Sequence, residues 1–93
     1  MIRMDERADD AQLIARYLDE GDDAALRTLF ERHMRQIHGF LARFTGSAHD
    51  ADDLVQETLV KAWRHLKSVD PKRSFRTWLF SIARRTAIDH LRK

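Results

Sequence analysis

The sequence predicts an all-α domain, a compact bundle of about four helices with a short first helix and three longer ones. Only three glycines and one proline interrupt its 93 residues. No alternating β-branched run appears, and apolar residues instead recur at steps of three and four, which align side chains along one side of a helix.

The first helix is expected from about Ala11 to Glu20, with Leu13, Ile14, Tyr17 and Leu18 on one face and Gly21 as its stop. The second, about Asp23 to Phe44, repeats Leu26, Leu29, Phe30, Met34, Ile37, Phe40, Leu41 and Phe44 as one stripe, and Gly46 ends it. Ser47 is suited to cap a third helix, whose first turn carries Asp50, Asp52 and Asp53 where the helix dipole favours negative charge. Its stripe is Leu54, Val55, Thr58, Leu59, Ala62, Trp63 and Leu66. A polar connector, Lys67 to Arg73, follows, and Pro71 keeps it out of helix. Ser74 then caps a fourth helix that runs to the chain end. Phe75, Trp78, Leu79, Ile82 and Thr86 share one of its faces, and Phe80, Ala87, Ile88 and Leu91 form a second apolar strip. Arg85 and Arg92 flank Asp89 at helical spacing, so a local ion pair is expected there.

Ninety-three residues make one domain, 1–93, with an ordered core from about residue 9 to residue 93. Such a chain buries a modest core and leaves little room for an enclosed active site. No run approaches the roughly 20 apolar residues of a membrane span, and the polar N-terminus lacks the apolar core of a signal peptide. A cytoplasmic location is expected. The absence of cysteine excludes disulfides and thiolate metal sites. The five histidines are scattered, and His33 and His38 lie five apart instead of the four that place two ligands on one helical face. With no Gly-rich phosphate loop and no paired nucleophile and base, neither catalytic residue, metal site nor cofactor is expected, and the chain does not read as an enzyme.

Charge divides the molecule. From Lys61 to Lys93 there are ten Lys or Arg and two acids, a local net of +8, whereas residues 1–60 carry seven basic and thirteen acidic residues, a local net of −6. Phe75, Trp78 and Phe80 are threaded through the basic part. Cations meet phosphates and rings meet base faces, so this part suits a single-stranded polyanion; the plainer reading is a solvated basic surface around core aromatics. Projection of the third helix places Asp53, Gln56, Glu57, Val60 and Arg64 together, a polar face with a small apolar centre. It suits a basic protein helix, although a lone exposed Val needs no explanation and Glu57 has Lys61 to pair with.

Asp53-Leu54-Val55-Gln56-Glu57-Thr58, Ala62-Trp63, Phe75-Arg76-Thr77-Trp78-Leu79-Phe80-Ser81-Ile82-Ala83-Arg84 and Ala87-Ile88-Asp89-His90-Leu91-Arg92 closely resemble conserved region 2 of bacterial sigma factors of the extracytoplasmic-function type. Order, spacing and residue types agree over about 85 residues.

The resemblance implies a transcription initiation factor domain. It assigns Asp53, Gln56 and Glu57, with Val60 between them, to docking on the coiled coil of the β′ clamp of RNA polymerase. It assigns the connector and last helix to recognising and melting the promoter −10 element by holding the non-template strand as single-stranded DNA. Capture of an extruded base offsets the few kcal/mol, roughly, that flipping costs. The connector from Ser68 to Ser74 is expected to form much of that base pocket. Lys72, Arg73, Arg76, Arg84 and Arg85 are the expected phosphate or base contacts; Trp78, in line with Leu79 and Ile82, reads at least as well as a core residue. Where many members carry Asn before Thr-Ala, this chain has Arg85, which only donates. The second domain that reads the −35 element in the family has no counterpart in this sequence. The resemblance also implies an anti-sigma factor as a partner, and no membrane. The rival reading is a helical protein-interaction module, an adaptor or regulator that binds polymerase without DNA. A duplex-reading helix-turn-helix is weaker, because the last helix commits apolar residues to two sides.

Overall fold

The computed structural model describes residues 8–92. Four α-helices follow one another: α1 (Asp10–Glu20), α2 (Asp23–Thr45), α3 (Ala48–Arg64) and α4 (Phe75–Leu91), with a 3-10 turn, Leu66–Ser68, after α3. The expected all-α bundle of four helices is thus observed. Lys93, to which the last helix and the ordered core were expected to run, lies outside the described residues.

Local chemistry explains where each helix begins. Asp9 caps α1 in a reciprocal box: its Oδ1 accepts from the Gln12 amide at 2.8 Å, and its own amide donates to Gln12 Oε1 at 2.9 Å. Asp22 caps α2 through the Ala25 amide at 3.2 Å. Ser47 and Ser74 cap α3 and α4 as the sequence predicts, accepting from the Asp50 amide at 3.1 Å and the Thr77 amide at 3.2 Å. Gly21 and Gly46 end α1 and α2 in the left-handed conformation, φ 67° and 74°, which a side chain at those positions would strain.

α3 folds back along α2 through the turn at Gly46 and Ser47. α4 runs beside α2 in the same direction, since Phe75 meets His33, Arg76 meets Gln36 and Phe80 meets Phe40. α1 lies against α2, where Asp10 reaches both His33 at 2.8 Å and Arg32 at 3.0 Å. Leu13, Leu29, Ile37, Leu41, Leu66 and Leu79 are completely buried at the centre. Burying each such side chain is worth about 1.5–3 kcal/mol. Thr58 and Thr86 sit among them without an unpaired hydroxyl: Thr58 donates to the Leu54 carbonyl at 2.7 Å and Thr86 to the Ile82 carbonyl at 2.8 Å.

The structure departs from the sequence expectation at several places. α3 stops at Arg64, and Leu66 reaches the core from the 3-10 turn. Trp63, expected in the buried stripe, is 50% exposed, and its indole Nε1 donates to Tyr17 Oη at 2.7 Å. The buried line of α4 is Phe75, Leu79, Ala83, Thr86 and Ala87, so Ala83 occupies the centre, Trp78 and Ile82 flank it half-buried, and Leu91 is 55% exposed. Finally, among the described residues no ion pair joins Asp89 to Arg85 or Arg92; the acid–base contact of this helix end is instead His90 with Asp50, 3.5 Å apart.

Candidate functional site

Two surfaces gather the residues singled out in the sequence. The first lies on α3. Asp53, Gln56, Glu57 and Val60 are all exposed, and together with Lys61 and Arg64 they line one shallow depression. Glu57 pairs with Lys61 at 3.4 Å, and Lys61 in turn donates to Thr86 Oγ1 at 3.1 Å, which leans the pair toward α4. An exposed i,i+4 pair of this kind stabilises by only about 0.3–0.5 kcal/mol, so Glu57 remains available.

Gln56 also borders a second groove, between α2 and α3, whose apolar lining comes from Met34, Val55 and Leu59. His38 Nε2 and Asp52 Oδ1, 2.8 Å apart, tie the two helices beside this groove. Met34 belonged to the predicted core stripe, yet it is exposed. The sequence signal was there in the width of that stripe: eight apolar positions cover more of a helix than one neighbouring helix conceals. The polar face of α3 therefore continues into an apolar margin that single-helix projection missed.

The second surface begins at the connector. Asp70 organises it: its Oδ1 accepts from the Lys72 amide at 2.9 Å, and its carbonyl accepts from the Arg73 amide at 3.0 Å. The Arg73 guanidinium lies 3.9 Å from the Asp70 carboxylate and stays largely in solvent. Ser68, Val69, Asp70, Arg73 and Ser74 form one wall of an open hollow of about 570 Å³; Thr77, Trp78 and Ser81 form the other. That size falls within the roughly 300–1,000 Å³ of small-ligand sites. Trp78 reconciles its two readings, with its ring 5.7 Å from Phe75 on the inner side and the hollow on the outer.

Ser81 also borders a second, more polar hollow that continues along α4, lined by Ile82, Arg84, Arg85, Ile88, Asp89 and Arg92. The structure thus places Ser68, Arg73, Ser74 and Trp78 around the first hollow and Arg84 and Arg85 around the second, a tract of two neighbouring hollows joined at Ser81. Lys72 lies in the exposed connector turn but lines neither hollow. Arg76 is directed elsewhere: its Nε donates to Gln36 Oε1 at 2.8 Å and its guanidinium stacks 4.6 Å from the Phe80 ring centre, between α4 and α2. Helical geometry accounts for this, since Arg76 and Phe80 are one turn apart on the side of α4 that meets α2. Thr77, Ser81, Ile82, Ile88, Asp89 and Arg92 are the tract residues beyond the connector not singled out for binding from sequence. Among the described residues no cluster of three or more His, Asp or Glu is disposed to hold a metal, and no described helix is long and apolar enough to cross a membrane.

Fold and surfaces together define a small four-helix domain with an exposed acidic face on α3 and an arginine-bearing side on α4. Residues 29–93 match the family model of sigma-70 region 2. The chain is 41% identical over 70 residues to the ECF RNA polymerase sigma factor SigL of Mycobacterium tuberculosis, covering 74% of this chain and 40% of that protein. It is 36% identical over 88 residues to the ECF RNA polymerase sigma-E factor of Haemophilus influenzae, covering 95% of this chain and 46% of that protein. The chain spans less than half the length of these curated relatives. Among solved structures, an engineered region 2 of sigmaE, determined by NMR in complex with GTAAAA, superposes with a TM-score of 0.81 at 37% identity over 92% of this chain and 88% of that one. The chain belongs to the sigma-70 region 2 family, and the relatives it matches are ECF RNA polymerase sigma factors.

Proposed function

We propose that this domain attaches to RNA polymerase core through α3 and captures the melted non-template strand of a promoter −10 element along the connector and α4. Asp53, Gln56, Glu57 and Val60 would meet the coiled coil of the β′ clamp, with Met34 and Leu59 supplying apolar contact at the margin. The hollow beside Trp78 would take an extruded base, with connector backbone groups facing its edge. Arg73, Arg84 and Arg85, with Lys72 at the turn, would neutralise phosphates. Melting then needs no catalytic group: strand capture offsets the cost of unpairing. The cytoplasm, where polymerase works, is the corresponding location, and an anti-sigma factor would act by covering either surface.

One observation carries this reading: the hollow walled by Trp78 and the connector adjoins, at Ser81, the hollow on α4 that Arg84, Arg85 and Arg92 line. Its likeness to a sigmaE region 2 that was solved with a short DNA supports the same assignment. The test is selection from a randomised single-stranded DNA library by the 93-residue chain, with and without polymerase core. Enrichment of a defined motif that is lost on neutralising Lys72, Arg73 and Arg85 is the expected result. Polymerase binding without any motif would instead favour a protein-interaction module.

A further inference from the structure

Among the described residues the buried polar side chains are His33, Thr58 and Thr86. The two threonines donate to carbonyls one turn back in their own helices, whereas His33 Nε2 reaches across to Asp10 Oδ2 on α1 at 2.8 Å. A carboxylate only accepts, so the imidazole donates through Nε2 and its ring is fixed in rotation. The second Asp10 oxygen accepts from Arg32 Nη1 at 3.0 Å, and the same nitrogen donates to the Ala8 carbonyl at 2.8 Å, so the anchor is itself held. The imidazole meets the Phe75 ring with centroids 5.6 Å apart, and Phe75 meets Trp78 at 5.7 Å. Phe75 is buried and follows Ser74, which stands in one wall of the connector hollow, while Trp78 stands in the other wall. Three rings thus lead from Asp10 to the hollow, although neither Asp10 nor His33 lines it. Burying an imidazole and its partner costs more than filling the same space with an apolar ring. What the pair adds is a single orientation.

Resting on the proposed capture of a base beside Trp78, we propose that Asp10 and His33 are positioning residues for that hollow. The hydrogen bond locks the imidazole, the imidazole backs Phe75, and Phe75 holds the Trp78 ring at the angle at which a base stacks. Neither residue touches DNA. The gain is preorganisation, because a ring already held in place loses less freedom when a base arrives. α1 thereby takes part in strand capture through its first turn, where Asp10 begins the helix. The relay runs through α1, α2 and α4, so the polar face of α3 stands outside it.

The experiment places Asp10→Ala and Asp10→Asn in the full chain carrying Trp63→Phe, which leaves Trp78 as its only tryptophan. Trp78 is followed by fluorescence emission and near-ultraviolet circular dichroism in the free chain. Affinity is measured, with the chain loaded on polymerase core, for the single strand that the randomised library yields. Asp10→Ala should shift Trp78 emission to the red and flatten its dichroism while the helix signal stays. It should weaken strand binding by about threefold to tenfold, a part of the roughly fivefold to 150-fold that stacking one base is worth. Affinity for polymerase core should not change. Asp10→Asn, whose amide oxygen still accepts from Nε2–H, should restore both the Trp78 signal and strand affinity. Wild-type spectra and strand affinity in Asp10→Ala overturn the inference and leave the proposed function intact. So does a parallel loss of strand and polymerase binding with an unchanged Trp78 signal, the mark of a merely structural pair. If the parent chain selects no single strand at all, the proposed function falls and this inference with it.

Discussion

The polar face of α3 and the strand-binding tract differ in what holds their residues in place. Asp53, Gln56, Glu57 and Val60 ride on one regular helix of 17 residues, so backbone geometry alone fixes their spacing. One wall of the connector hollow is made of residues outside any α-helix, held by the two hydrogen bonds to Asp70 and by the Ser74 cap. A helical face tolerates exchange of its exposed residues because the scaffold is buried elsewhere. A turn of this kind carries binding groups and structural groups in the same few residues. The proposed polymerase surface should therefore respond to its exposed side chains alone, and the proposed DNA surface to the shape of the turn as well.

The severest way to break the comparison is to remove what both surfaces share. Leu79 is completely buried in the one core that α3 and α4 both contribute to; Leu79→Ala should cost about 2–5 kcal/mol of stability in denaturant unfolding and weaken polymerase and DNA binding together. Loss of one function alone would show that the two surfaces rest on separate supports. Trp78→Ala should separate them. It should cost about 1–3 kcal/mol of single-stranded DNA affinity, through lost stacking, with polymerase core affinity unchanged.

The reciprocal variant, Glu57→Lys, should slow association with polymerase core severalfold and steepen no DNA defect, as stopped-flow binding at two salt concentrations would reveal. An unchanged association rate would remove Glu57 from the docking face. The smallest expected effect is the most specific. Arg85→Ala should lower the slope of log K against log salt by about one unit for DNA binding, while Arg76→Ala, whose guanidinium is engaged by Gln36 and Phe80, should leave that slope alone. Equal slopes for both variants would erase the distinction drawn between the two sides of α4.

Much of the fold was legible because its signals are local. Ser47 and Ser74 were readable as caps, and Gly21 and Gly46 as stops, since each satisfies backbone groups within four residues of itself. The exposed acidic run of α3 was equally plain, because polar residues at helical spacing oppose an apolar stripe. Trp63 and Met34 were misplaced for the converse reason: an apolar side chain at the edge of a stripe is buried only if a neighbouring helix covers it, and at both positions the neighbour covers it only in part. Ala83 was overlooked at the centre of α4 because a small residue marks close helix approach only once the partner helices are known. Arg76 sorts the same way, its direction settled by Gln36 from another helix.

Helix number, helix ends and the segregation of charge along the chain follow from short-range hydrogen bonding and from the 3.6-residue period. Which arginines share a tract, whether Trp78 faces inward or outward, and that Asp89 has no cation partner among the described residues were set by how α2, α3 and α4 lie against one another. Those outcomes depend on contacts between residues far apart in sequence, and a helix viewed alone has no means of specifying which of its flanks a neighbour will cover.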